Sequence, residues 1–317
     1  MFPILGIMAS QISGHLIPPI ANGGFFAGGF TPPTWLSGID KLDFDTEVVT
    51  TLAATLSSGR GFVSGMANSG TAGYVGGGFT GSVYSNAIDK LDFAAETIST
   101  LSATLTNAIA NPGAMANSGT AGYFSGGADA STFYSYIQKI AFPADTKTTL
   151  AATLSGVRSN STEGAANSGT AGYYGGGGDL SVFYSNIDKI AFPADTKTTL
   201  AATLTTARQN LAAMANSGTA GYYGGGNDGG GRVSGIDKIA YPADTKTTLA
   251  ATLTAGTADL AALSNSGTAG YFGGGETTVR INSIQKIAFP TDTKSVITAT
   301  LTTARSWLSG MANAGTL

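Results

Sequence analysis

Short apolar runs separated by turn residues recur along this chain, and no window keeps a helical period. Residues 211–253 show the pattern. LAAMA (Leu211–Ala215) is a small-residue apolar run, followed by the polar tetrad Asn216-Ser217-Gly218-Thr219. Its glycine can take positive φ at no steric cost, which suits a tight turn. AGYYGG (Ala220–Gly225) is the second run, and IDKIAY (Ile236–Tyr241) follows after a loop. Pro242-Ala243-Asp244-Thr245 reads as another turn, with proline presetting φ, and TTLAATL (Thr247–Leu253) is the fourth run. Four such runs predict four short antiparallel strands.

The same four-run unit returns along the chain. The asparagine that opens its tetrad falls at Asn22, Asn68, Asn117, Asn167, Asn216, Asn265 and Asn313, at spacings of 46 to 50 residues. The Ile-Asp/Gln-Lys phrase falls once in each interval, beginning at Ile39, Ile88, Ile137, Ile187, Ile236 and Ile284. Six units of about 49 residues with four strands each predict an all-β, six-bladed β-propeller. Small residues in the first run suit an innermost strand, where six sheets crowd one axis. The last unit stops after SGMANAGT (Ser309–Thr316), a first strand without its followers. The opening unit begins near its second strand, FFAGG (Phe25–Gly29). The C-terminal strand is therefore expected to pair into the N-terminal blade and close the ring. IPPIA (Ile17–Ala21) is the rival for that place, and its two prolines fit a ladder poorly. The expected organisation is an extension over residues 1–20 and one propeller over residues 21–317.

Composition narrows the function. The chain is 42% hydrophobic and only 11% charged, against roughly 25% charged in an ordinary domain. Its 46 glycines accompany enough apolar residues for a core, so they do not signal disorder. The net charge is −3 with no basic stripe, which argues against nucleic acid or an anionic membrane as partner. The longest apolar run, FPILGIMA (Phe2–Ala9), is too short to span a bilayer. No Lys or Arg precedes Lys41, so that run reads as part of an extension and not as a secretion signal. There is no cysteine, and His15 is the one histidine. That removes thiol chemistry, histidine triads and His/Cys metal sites, and no cofactor is expected.

A strand ending in two aromatics and two glycines, then a third strand, a proline turn, a polar fourth strand and a trailing arginine resembles the kelch repeat. Gly175-Gly176 stand where kelch blades carry their double glycine, and Pro193 stands in the third-to-fourth turn. Arg60, Arg158, Arg208 and Arg305 match the trailing arginine in four units of six. The resemblance covers residues 21–317 and departs at two points: Thr198 replaces the kelch tryptophan, and Phe192 replaces the acid before the proline turn. It implies a kelch-like propeller. Galactose oxidase shares that fold, but its Cys-Tyr crosslink and histidine copper ligands have no counterpart here. The segment ILGIMASQISG (Ile4–Gly14) resembles N-terminal stretches of tailed-bacteriophage structural proteins. It implies that Phe2, Ile4, Leu5, Ile7, Met8 and Ile12 attach the chain to other virion subunits.

In an antiparallel blade the first–second and third–fourth turns share one end, here the near-constant NSGT and PADTK. The other end carries loops that differ between units. They contain Trp35, Tyr84, Tyr134, Tyr184, Arg232 and Arg280, the residue types of recognition surfaces. These six are the candidate binding residues, and packing on neighbouring blades is the competing expectation for them. The acids Asp188, Asp195, Asp237 and Asp244 recur between units, so they read as blade features, paired with the nearby Lys189 or Lys238, before they read as hydrolytic pairs. Asp179 and Asp228 lack the dense oxygen spacing of a calcium loop. The expected protein is a non-enzymatic bacteriophage tail or fibre component, located in the virion. It would display its varied loops to a host-surface glycan or protein, with homo-oligomers compatible with such an assembly. A secreted or surface kelch-like adhesin or lectin is the alternative, and a glycan hydrolase comes last.

Overall fold

A computed structural model describes residues 22–159 and 164–313 of the chain. The residues expected to attach the chain, Phe2 to Ile12, lie outside the described residues. Among those described there is no helix, and the strands form six four-stranded antiparallel sheets arranged as a six-bladed propeller. The fourth blade is typical: Gly164–Asn167 innermost, then Ala171–Gly175, Asn186–Ala191 and Thr196–Thr203 outermost. The innermost strands of the second, third, fifth and sixth blades are Ser64–Asn68, Gly113–Asn117, Ala212–Asn216 and Ala261–Asn265. In the fifth blade the outer strand is Thr245–Thr248, so it starts inside the predicted turn and ends earlier than the apolar run implied. The turn is tighter because Asp244 adopts φ 55°, which brings the chain round one residue sooner.

Ring closure occurs as the repeat phase predicts. Ser309–Asn313 lies antiparallel to Gly23–Ala27, with five residue pairs from Gly23↔Asn313 to Ala27↔Ser309. The first blade is completed by Ile39–Asp43 and Val49–Thr51. Its inner strand thus comes from the opposite end of the chain.

The repeated phrase NSGTAGYYGG joins blades to each other. In the fourth blade Asn167 Oδ1 accepts the N–H of Gly218 of the fifth (3.0 Å), and Asn117 of the third accepts the N–H of Gly169 (2.7 Å). The Tyr173 hydroxyl donates to Asp244 of the fifth blade (2.8 Å), and Lys189 donates to the other oxygen of that carboxylate (2.6 Å). The Tyr174 hydroxyl donates backwards, to the Tyr123 carbonyl of the third blade (3.0 Å). Gly172 is glycine because a Cβ there would sit 2.1 Å from Met115 Sδ of the preceding blade. Alternation puts these two tyrosines on opposite faces of their sheet, so one reaches forward and one back.

The acids are therefore blade features, but their partners differ from the expected neighbours. Lys189 pairs with Asp244 and Lys238 with Asp292, each on the next blade. Asp188 pairs with Arg158 of the preceding blade (3.2 Å). Arg60–Asp89, Arg208–Asp237 and Arg305–Asp40 repeat this contact at 2.9, 3.1 and 3.0 Å, all essentially removed from solvent. Burial pushes each guanidinium's pKa down, and the adjacent aspartate pulls it back up. At the two remaining junctions both partners change together. Ile109 faces the blade that carries Gln138, and Thr257 faces the blade that carries Gln285. Gln138 and Gln285 still accept the backbone N–H of Thr106 and Thr254 (2.7 Å each), as the aspartates accept those of Ser57 and Ser155. The neutral junctions lie between blades two and three and between five and six. They are opposite one another and divide the ring into two halves of three blades.

Candidate functional site

The varied end is built on two concentric sets of positions. Residues just before the inner strands take left-handed φ: Phe62, Asn111, Asn210, Asp259 and Trp307, between 50° and 60°. Their backbones bond to each other in sequence round the axis. Asn111 N–H donates to Phe62 O (2.8 Å), Phe62 to Trp307, Trp307 to Asp259, and Asp259 to Asn210 (2.9 Å each). This hoop rings the varied end of the axis. Outside it lie the first residues after each double glycine. Phe30, Phe79, Ala128, Gly178, Asn227 and Glu276 pair across to Trp35, Tyr84, Phe133, Phe183, Arg232 and Arg280.

That register separates the six sequence candidates. Trp35, Tyr84, Arg232 and Arg280 occupy equivalent positions. Tyr134 and Tyr184 stand one residue later, and a one-residue step sends a side chain to the other face. Tyr184 lies over the buried Arg158 guanidinium (4.8 Å), so it covers an inter-blade ion pair. The Tyr134 hydroxyl donates to Asp129 (2.6 Å), and with the turn N–H groups it holds that carboxyl down to about 2. Both tyrosines are thus engaged with groups of their own chain. The equivalent ring positions are filled by Phe133 and Phe183, which sequence reading passed over because it followed residue type and not register.

The remaining candidates form two adjacent arcs. Trp35 meets Phe30 (ring centroids 4.5 Å), Phe79 (5.4 Å), Phe62 (6.0 Å) and Trp307 (6.1 Å). Tyr84 extends the cluster through Phe79 (5.0 Å). Beside this aromatic arc, Arg232 ion-pairs with Glu276, and Arg280 approaches the same carboxylate at 3.5 Å. The Arg280 guanidinium lies over Phe30 (4.9 Å) and Trp307 (5.3 Å), joining the arcs by cation–π contact. The aromatic rings are half-buried, while the loop tips expose aliphatic side chains: Leu180 is 91% exposed, Val279 66% and Val83 59%. Asp179 and Asp228 spend a carboxylate oxygen each on N–H groups of their own turns.

Asp259 sits in the hoop between the arcs. Loss of hydration raises its pKa from 3.8 to about 7, opposed by the hydrogen bond from Trp307, with Glu276 raising it further and Arg232 and Arg280 lowering it. The folded ring therefore binds a proton that the unfolded chain releases above its ordinary pKa. This contribution is complete below pH 4 and is lost as pH rises through about 7. Thermal melts are expected to show a lower Tm at pH 8 than at pH 5, and Asp259→Asn to reduce that difference. An unchanged difference in the variant would remove Asp259 as its source.

A cavity on the axis lies at the other end. It measures 680 Å³, is walled by all six inner strands and reaches the NSGT turns. One small residue per blade faces it at the same level: Ala67, Ala116, Ala166, Ala215, Ser264 and Ala312. Sequence reading set this end aside because it hardly varies. Small inner-strand residues were the signal, since a ring of Ala and Gly leaves its axis unfilled.

No family model and no curated protein matches the chain.

Proposed function

We propose that this chain is a non-enzymatic recognition protein, a tail or fibre component of a bacteriophage particle, that binds a host-surface glycan or protein through the varied end of its propeller. The observation that carries the binding role is the paired arc at that end. Phe30, Trp35, Phe62, Phe79, Tyr84 and Trp307 stand beside Arg232, Glu276 and Arg280 on a scaffold whose other end is nearly uniform. Partly exposed aromatics with adjacent arginine supply the anchors that dominate interfaces. The repeated acids are engaged in ion pairs between blades, which supports binding without turnover. The virion address rests on the N-terminal resemblance, and mass spectrometry of purified particles tests it: absence of the chain from particles overturns it.

Binding is tested with fluorescently labelled protein on glycan arrays and host cells. Trp35→Ala and Arg280→Ala are expected to weaken adsorption about 30-fold, the effect of losing an anchor worth about 2 kcal/mol. Tyr184→Ala is expected to lower stability and leave adsorption intact. Unchanged adsorption in the first two variants overturns the site.

A further inference from the structure

We infer that, in the free protein, the axial cavity receives an apolar part of the chain's own residues 1–21. The cavity has a mouth, and the chain is delivered to it. Ala72 and Gly23 are equivalent positions, paired to Asn68 and Asn313 of their inner strands. Asn22 therefore stands where Thr71 stands in the next blade, and not where Asn68 does as the repeat spacing predicted, and Thr71 lines the cavity. The Asn22 carbonyl accepts the Phe44 N–H (3.0 Å) as the Thr71 carbonyl accepts that of Phe93 (3.1 Å). Everything upstream of Asn22 starts at that rim.

The chemistry matches. The lining contains no Asp, Glu, Lys or Arg, and is mostly Ala, Gly, Ser and the sulfur side chains Met66, Met115, Met214 and Met311. Residues 1–21 also contain no Asp, Glu, Lys or Arg, and carry Phe2, Ile4, Leu5, Ile7, Met8, Ile12, Leu16, Ile17 and Ile20. The methionines are buried between blades, so the free wall is the uncharged small residues, which an uncharged segment can meet without stranding an ion. Reach does not limit the segment. The five-residue inner strands span about 17 Å, and 21 extended residues span about 70 Å. Tethering at the rim favours this segment over a second copy's, because its effective concentration is in the millimolar range or above. The inference concerns the unassembled protein and stands apart from the attachment reading, which concerns the particle.

Two measurements test it. In the intact chain, chymotrypsin cleavage after Leu5 or Leu16 is expected to be slow, and Ala166→Phe, which fills the cavity from the fourth blade, to speed it at least tenfold. In a chain starting at Asn22, which keeps all six blades, the neutral dye Nile red is expected to bind at one site. The affinity should be at least tenfold tighter than in the full chain, with a synthetic peptide of residues 1–21 displacing the dye. Equal cleavage rates, equal dye affinity in both chains, or a peptide that fails to compete each overturns the inference. Displacement accompanied by concentration-dependent oligomers of the full chain overturns it in favour of a second copy's segment.

Discussion

A chain lacking Ser309–Leu317 is expected to melt at least about 15 °C below the full chain, or to lose its cooperative transition. The deleted strand makes five residue pairs with Gly23–Ala27. Ladder hydrogen bonds contribute about 1 kcal/mol each net of water. Met311, 2% exposed, packs with Phe25, Val75 and Phe93, and removing such a side chain costs about 2–5 kcal/mol. Together these approach the whole stability of an ordinary domain, about 5–15 kcal/mol. The deletion also uncovers the edge of Gly23–Ala27, a template for pairing with other chains. Calorimetry checks the melt and light scattering checks association. A melt within a few degrees of the full chain would show that the ring holds without its closing strand. A peptide covering residues 309–317 is expected to recover part of the loss when added in trans.

The second large effect lies at the blade junctions. Asp188→Gln leaves the Arg158 guanidinium buried without its counter-charge, and is expected to cost about 3–5 kcal/mol. The pair itself contributes much less than that, because desolvating two ions offsets their attraction. The double variant Arg158→Ile/Asp188→Gln copies the junction that Ile109 and Gln138 already form, and glutamine keeps an oxygen for the Ser155 N–H. It is expected to recover most of the loss. Urea denaturation of the four proteins in the cycle gives the numbers. If the single change costs under about 1 kcal/mol, the buried pair is not what the junction depends on. If the double variant remains as weak as the single one, the two junction types are not interchangeable.

Much of this was legible in the chain. Period and strand count were enough for six four-stranded blades, and the phase of the last unit was enough for closure. The covariation was also present, since Arg is missing only before the blades whose phrase reads Ile-Gln-Lys. It reads as scatter until the structure shows that each arginine belongs to the next blade's acid. Lys189 and Asp188 are neighbours in sequence, which made their pairing attractive. Adjacent strand residues point to opposite faces, so the two side chains could not meet and each found a partner on a different blade. Register likewise sorted the binding candidates: Tyr184 differs from Tyr84 not in chemistry but in standing one residue further from its double glycine.

What the sequence by itself determined is the unit and its number, because glycine, proline and alternation act over a few residues and repeat with the chain. Tertiary structure alone decided which end of the axis is hollow and which carries the hoop. It also placed Phe62, Trp307 and Asp259 beside Trp35 and Arg280. Those contacts join residues that a closed ring brings together from both ends of the chain, and no local pattern records where a ring closes in space. The repeated NSGTAGYYGG remains a scaffold phrase with a defined task. Its asparagine, tyrosines and glycines each meet the blade before or after, and that contact only exists once the blades stand side by side.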